Sequence, residues 1–248
     1  MTMYQGYERS RHRGYERPRR RHRGLVAGVV VLIVLVGLLV GADFWARSYA
    51  ENRVASEIQQ QGFPTRPTVT IDGFPFLTQV ISRDFSEVQI SSGSITEGPL
   101  QIQSINVTLD RVLVNPSYNG GTVTNLNGNA AITFTALASA MSSEAGSLSQ
   151  LVSGALSLSA AGGDEVKATL GVDGFGATAV WRVSATAPRT INIQLVSSGS
   201  IPSQLVNGIG TIEIKLPAMP LGLSLASINV TPTGLVATVT GQGVNFGS

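Results

Sequence analysis

Residues 68–95, TVTIDGFPFLTQVISRDFSEVQISSGSI, decide the fold because they contain both kinds of element that recur in this chain. The pattern predicts a short strand, a tight turn at Asp72-Gly73, an aromatic-proline loop, a helical turn and a second strand. The loop places four bulky apolar residues, FPFL at 74–77, where a surface connection is expected. Two interpretations are open: a hydrophobic plug that covers one end of the core, or an apolar lip that contacts lipid.

Short strands dominate the chain beyond this stretch. Apolar and polar residues alternate at 105–110, 191–195 and 211–216, and residues 236–240 form a further strand-like run. A period of two places one face of a strand on the core and the other in water. Two segments instead have helical spacing, and their apolar residues are Phe134, Leu137, Ala138 and Met141, then Leu148, Leu151, Val152 and Ala155. The sequence therefore predicts an α+β domain, a curved antiparallel β-sheet with helix packed against one face.

The composition excludes several kinds of enzyme. The chain has no Cys, and its two histidines, His12 and His22, lie in the basic N-terminal stretch. A Cys nucleophile, a Ser-His-Asp triad and Cys- or His-ligated metal sites are therefore excluded from the main domain. The only enzyme interpretation left is a catalytic carboxylate pair drawn from Asp72, Asp84 and Glu87. The simpler, non-catalytic interpretation is that Asp72 forms a turn and that Asp84 and Glu87 are solvated. No catalytic residue, metal or cofactor is predicted.

The N-terminus has the charge pattern of a membrane-inserted segment. Residues 1–24 carry eight Arg and two Glu, a net charge of +6, whereas the other residues carry nine basic and thirteen acidic side chains, a net charge of −4. Residues 25–42 carry no charge, and a helix of that length spans roughly 27 Å, close to the hydrocarbon thickness. Arg before the segment and Asp43 after it predict a single-pass helix with a cytoplasmic N-terminus and an extracytoplasmic main domain. A cleaved signal peptide is the alternative, and it also exports the domain.

The chain thus divides into four parts. They are an Arg-rich cytoplasmic tail at 1–24, a transmembrane or signal-anchor helix at 25–42, a juxtamembrane helix at 43–62 and the main domain at 63–248. We interpret the Arg-rich tail as a positively charged segment that sets the membrane topology and contacts anionic lipids of the inner leaflet. No nucleic-acid partner is predicted. In the juxtamembrane helix, Asp43 is expected to cap the start, and Phe44, Ala50, Val54 and Ile58 follow one side. We interpret this helix as a stalk.

The segments IDGFPFLT at 71–78 and DFSEV at 84–88 resemble the LmeA family, exported phospholipid-binding proteins of the actinobacterial envelope. LPAMPLGL at 216–223 and TGL at 233–235 support the resemblance, which covers most of residues 45–248. The resemblance implies an elongated sheet-and-helix fold similar to half of a tubular, BPI-like lipid-binding protein. It also implies phospholipid binding and a role in the elongation of lipomannan-type envelope glycolipids.

A lipid carrier must offer a long apolar groove, because exposing two acyl chains of about 15 methylenes each to water costs roughly 24 kcal/mol. Together with the resemblance, this predicts a membrane-anchored extracytoplasmic protein, not an enzyme, that binds or transfers phospholipid in support of lipomannan-type lipoglycan biogenesis. The expected partners are a phospholipid, with phosphatidylinositol as one candidate, the cytoplasmic membrane and an envelope glycosyltransferase.

The predicted lipid-binding residues form two sets. The entrance of the groove is assigned to Phe74, Phe76, Leu77 and Val80. The lining of the groove is assigned to Phe134, Leu137, Met141, Leu148, Leu151 and Val152. Two alternatives remain: an anchored scaffold for an envelope glycosyltransferase, which predicts no bound lipid, and a glycan-acting enzyme that uses Asp72 with Asp84 or Glu87.

Overall fold

The computed structural model describes residues 21–60, 63–97, 100–144, 156–172, 175–199, 211–215 and 223–247. The chain forms two compact units, Met1–Ala42 and Asp43–Ser248. Helix α1 (Arg21–Gln60) begins in the first unit and ends in the second. It contains the one described helix stretch that is long and apolar enough to cross a membrane. Such a helix is compatible with a membrane anchor and with a signal sequence.

The second unit continues after α1 with thirteen strands and two helices among the described residues. In chain order they are β1 (Thr68–Asp72), α2 (Phe76–Ser82), β2 (Asp84–Ser92), β3 (Ile95–Glu97), β4 (Leu100–Ile102), β5 (Ser104–Val114), β6 (Gly120–Thr133), α3 (Phe134–Glu144), β7 (Leu156–Gly162), β8 (Glu165–Val172), β9 (Phe175–Ala187), β10 (Thr190–Ser197), β11 (Thr211–Lys215), β12 (Ser224–Thr231) and β13 (Gly234–Gly247). Six of the strands form a sheet in the order β1-β2-β5-β6-β13-β12, five form a second sheet in the order β11-β10-β9-β8-β7, and β3 pairs with β4. The paired strands in all three sheets run antiparallel.

The six-stranded sheet has one apolar face and one polar face. Residues that pair across neighbouring strands lie on the same face of a sheet. One apolar row crosses all six strands through Val69, Ile90, Val107, Gly128, Val239 and Leu225. The adjacent row on the opposite face is polar and contains Thr70, Gln89, Thr108, Asn127, Thr240 and Ser224. The alternation predicted at 105–110 and 236–240 is confirmed by β5 and β13.

The five-stranded sheet repeats this division of faces. Its apolar pairs include Val183 with Ile193 and Ala185 with Ile191 on β9 and β10. The polar pairs between them, such as Ser184 with Asn192, point to the other side. Residues 191–195 and 211–215 therefore form the strands that their alternation predicts.

Helix α1 from Asp43 onward is part of the core of the second unit, which corrects the predicted stalk. Its inward side packs on β1 and α2 in a cluster built from Ala46, Ala50, Ala55, Ile58, Val69, Ile71 and Phe76. Of the predicted stripe, Phe44 and Val54 are exposed instead. The physical reason is that the apolar face of β1 at the sheet edge must be covered, and this helix segment covers it.

The two sheets meet where β12 packs against β9. The backbone N–H of Leu225 donates to the Pro188 carbonyl at 2.8 Å. Side chains from both sheets and from α3 form one buried cluster there, consisting of Phe134, Val166, Val183, Leu225 and Ile228. The α+β class is confirmed, with helix packed on antiparallel sheet. The helix predicted from Phe134 to Met141 is present as α3, and the second predicted piece, residues 148–155, lies outside the described residues.

Candidate functional site

The aromatic-proline loop begins with a turn that requires glycine. Gly73 has a φ of +104°, and a Cβ atom there would lie 2.5 Å from Nε2 of Gln79. The buried Gln79 side chain ties the loop to the strands on both sides. Its Nε2 donates to the Asp72 carbonyl at 3.2 Å, and its Oε1 accepts the Ser86 N–H at 2.9 Å. These bonds fix α2 between β1 and β2, which explains the compact spacing of this stretch.

The first turn of α2 is capped by a residue from α1. Pro75 occupies the N-cap position and makes no side-chain hydrogen bond. The buried Asp43 carboxylate accepts the backbone N–H of Phe76 at 2.9 Å and that of Leu77 at 2.7 Å. A helix N-terminus leaves such N–H groups unpaired, and an Asp oxygen satisfies them. The expectation that Asp43 caps its own helix is corrected, because α1 already begins at Arg21 and Asp43 lies in its interior.

Three apolar side chains project from this loop and from α2 into solvent, and we name them the α2 lip. Phe74 is 63% exposed, Ile81 82% and Leu77 36%. Leu77 and Ile81 are four residues apart and therefore share one face of the helix. The Phe74 ring stacks on the ring of Phe44 with a centroid distance of 6.1 Å. Four exposed apolar side chains thus belong to α2, the loop before it and the adjoining part of α1.

The predicted entrance residues separate into exposed and buried ones. Phe74 and Leu77 belong to the α2 lip, as an entrance requires. Phe76 is only 4% exposed and packs against Phe85 with ring centroids 6.1 Å apart, so the structure places it in the core beneath α2. Val80 is partly buried against the same cluster. Phe76 is therefore buried, as the plug interpretation predicts, and Phe74 and Leu77 are exposed, as the lip interpretation predicts. Contact of the lip with lipid stays a prediction. Ile81 was missed because its sequence neighbours give no sign of which helix face is covered.

The predicted groove residues are placed only in part. Phe134 is buried at the junction of the two sheets, and Leu137 is partly buried. The side chain of Met141, and residues Leu148, Leu151 and Val152 as a whole, lie outside the described part of the chain.

Further apolar residues at the sheet junction come from the strands. They are partly buried rather than enclosed, and they include Leu158, Ala185, Ile191, Ile193, Val230, Leu235, Ala237 and Val239. Among the described residues, none of the large side chains is fully buried. The alternation of the strands was the available signal for these positions, but alternation alone does not separate a packed core from an open apolar surface.

A polar cleft of about 460 Å³ lies over the middle of β5, β6 and β13 and the first residue of β12. It is lined mainly by hydrogen-bonding side chains, namely Asp110, Asn125, Asn127, Ser224, Thr240 and Gln242. Such a lining suits polar groups and does not suit acyl chains.

The three carboxylates considered for catalysis take part in surface contacts. Asp84 pairs with Arg111 at 3.2 Å. Asp72 accepts from Gln89 at 3.1 Å and lies 3.5 Å from the Arg47 guanidinium. Glu87, the cross-strand neighbour of Asp72, accepts from the same Gln89 at 2.6 Å. These contacts account for the three side chains as parts of a partly exposed polar network on β1 and β2.

Comparison with known protein families covers most of both sheets and the loop that precedes α2. The family model described as LmeA-like phospholipid-binding matches residues 41–240. Searches of curated proteins and of solved structures gave no match. The family match contains Asp43, the α2 lip and most of both sheets, and it spans well over half of the chain. The chain therefore belongs to the LmeA-like phospholipid-binding family.

Proposed function

We propose that this protein is a membrane-anchored phospholipid carrier, with the acyl chains lying between the apolar faces of its two sheets. The observation that carries the proposal is the set of partly buried apolar strand residues at the sheet junction, exemplified by Ile193 and Val239. A ligand pocket for an acyl chain is lined by apolar side chains that the apo protein leaves incompletely covered. Family membership supplies the ligand class.

The free energy of acyl-chain burial supports this location. Each methylene removed from water contributes about 0.8 kcal/mol. An acyl chain therefore needs contact with apolar residues along most of its length. Partly buried apolar side chains of β10, β12 and β13, such as Ile193, Val230 and Val239, provide such a surface at the sheet junction. The α3 residue Phe134 packs against them. The remaining predicted lining residues, Met141, Leu148, Leu151 and Val152, extend the same proposal.

The cellular setting is proposed from the sequence and the family. Residues 25–42 anchor the chain in the cytoplasmic membrane, the basic tail stays in the cytoplasm and the second unit lies outside. The lipid carried there supports lipomannan-type lipoglycan biogenesis, with phosphatidylinositol as a candidate lipid and an envelope glycosyltransferase as a candidate partner. The protein acts by binding, and no catalytic residue is assigned.

A photo-crosslinking experiment tests the location of the lipid. The full chain is reconstituted in vesicles of phosphatidylethanolamine and phosphatidylglycerol that contain a phospholipid with a diazirine near the end of one acyl chain. After irradiation, peptide mass spectrometry maps the attachment sites. We expect attachment to peptides from β9, β10, β12 and β13, because these strands carry the partly buried apolar residues. Transfer of a fluorescent phospholipid between vesicles is measured in parallel.

Two neighbouring variants on β10 provide a matched comparison. Ile193→Asn introduces an amide into the apolar face, whereas Gln194→Asn changes an exposed residue on the opposite face of the same strand. Ile193→Asn is expected to lower crosslinking and transfer, with Gln194→Asn at the level of the unchanged protein, provided that circular dichroism shows both to be folded. Crosslinks confined to α1 and α2, with equal transfer by both variants, would contradict the carrier and favour the scaffold.

A further inference from the structure

We propose that the α2 lip and Phe44 form a membrane-docking surface, which inserts into the outer leaflet of the bilayer that holds the anchor. The occupant of this surface is a phospholipid bilayer. The inference rests on the proposed anchoring and adds to it a second, independent contact between the exported unit and the membrane.

The covalent position of Asp43 limits how far α2 lies from the membrane. Asp43 directly follows Ala42, the last residue of the apolar segment, and adjacent Cα atoms are about 3.8 Å apart. The same Asp43 carboxylate is hydrogen-bonded to the first two N–H groups of α2. The N-terminus of α2 is therefore bonded to the residue that directly follows the apolar segment.

The stacking of two aromatic rings ties the loop to the same part of α1. Phe44 is the second residue after the apolar segment, and its ring lies against that of Phe74. Both rings are more than half exposed. Trp45 and Tyr49, also exposed, stack on each other on the next part of α1. Aromatic residues concentrate at this depth of membrane proteins because their rings suit the headgroup region.

The chemistry of α2 fits a lipid surface. Its sequence, FLTQVIS, contains no charged residue. The helix buries Phe76 and Gln79 on one side and exposes Leu77 and Ile81 on the other. A helix that exposes apolar residues while hiding a glutamine reverses the pattern expected for a water-facing helix. A bilayer removes this exposed apolar surface from water.

Single-cysteine labelling tests the docking surface, and the chain is suited to it because it contains no Cys. Phe74→Cys, Ile81→Cys, Leu35→Cys and Gln194→Cys are each labelled with the environment-sensitive fluorophore NBD in the full chain. The proteins are reconstituted in phosphatidylethanolamine and phosphatidylglycerol vesicles with or without a spin-labelled phosphatidylcholine. Leu35 reports on the apolar segment, and Gln194, exposed on β10, is the control for a water-facing position.

The expected result is a blue-shifted emission and a loss of fluorescence with the spin-labelled lipid at positions 74 and 81, as at position 35, with neither effect at 194. Quenching at 35 together with a water-like signal at 74 and 81 overturns the docking surface and leaves the anchor standing. A water-like signal at 35 overturns both. The crosslinking and transfer measurements on β10 report on carrier function separately, so failure of docking is distinguishable from failure of the carrier.

Discussion

Replacement of Asp43 by Ala removes the only bonds described for the first two N–H groups of α2. The bonds to Phe76 and Leu77 are 2.9 Å and 2.7 Å long, within the range of charge-assisted hydrogen bonds. A buried N–H that loses its partner costs about 1–3 kcal/mol, and two such N–H groups lose theirs here, whereas loss of an ordinary, water-accessible N-cap costs only about 1 kcal/mol. Because Asp43 is 4% exposed, water does not readily replace it. We expect local opening of α2 to become easier by about 2–4 kcal/mol.

Hydrogen exchange of the full chain in vesicles measures this change. A difference of 2–4 kcal/mol corresponds to exchange that is roughly 30- to 1000-fold faster in peptides that cover residues 74–82, with little change in β9 and β10. Glu57→Ala is the matched control, since Glu57 lies on the same helix with its side chain 54% exposed. Equal exchange of residues 74–82 in the Asp43→Ala, Glu57→Ala and unchanged proteins would refute the capping role and, with it, the proposed position of α2 next to the membrane.

Three further substitutions test the assignment of the loop residues, each by thermal unfolding followed by circular dichroism. Phe76→Ala is expected to destabilise the protein by about 3–5 kcal/mol, because it leaves a cavity in the core; a change below 1 kcal/mol would contradict its burial. Phe74→Ala is expected to lower stability by about 0.5–1.5 kcal/mol, because it removes only the stacking on Phe44, so a loss as large as that of Phe76→Ala would mean that its ring is buried. Gly73→Ala is expected to cost about 1–3 kcal/mol through its positive φ and the approach to Gln79, and an unchanged melting temperature would show that the turn relaxes.

The strands could be predicted because the alternation of residues carries the information locally. Ile191 and Ile193 on β10, and Val107 on β5, lie on apolar faces as their period of two indicates. The joining of two sheets at Leu225 and Pro188 could not be predicted. Alternation predicts which residues share one face of a sheet. It does not predict which sheet faces pack against each other.

The sequence predicted where the bulky apolar loop lies, and it did not predict which of the loop residues are exposed. The sequence identified the FPFL cluster, but it could not assign Phe74 to solvent and Phe76 to the core, since that division depends on how the short helix α2 lies on β2. The role of Asp43 was missed for a related reason. Its partners lie 33 and 34 residues away. The local sequence pattern instead predicted, incorrectly, that the same carboxylate caps the start of its own helix.

Under the proposed export, the inclusion of residues 43–60 in the core sets an order of events. This helix would then leave the translocation channel ahead of every strand on which it packs. The hydrogen bond between its Asp43 carboxylate and the Leu77 N–H can form only after the 34 residues up to Leu77 have emerged. Ala55 can pack only after Val69 and Ile71 have emerged. Under the proposed export, this first corner of the domain can therefore close only when β1 and the first turn of α2 have left the channel, and until then residues 43–60 have an uncovered apolar side.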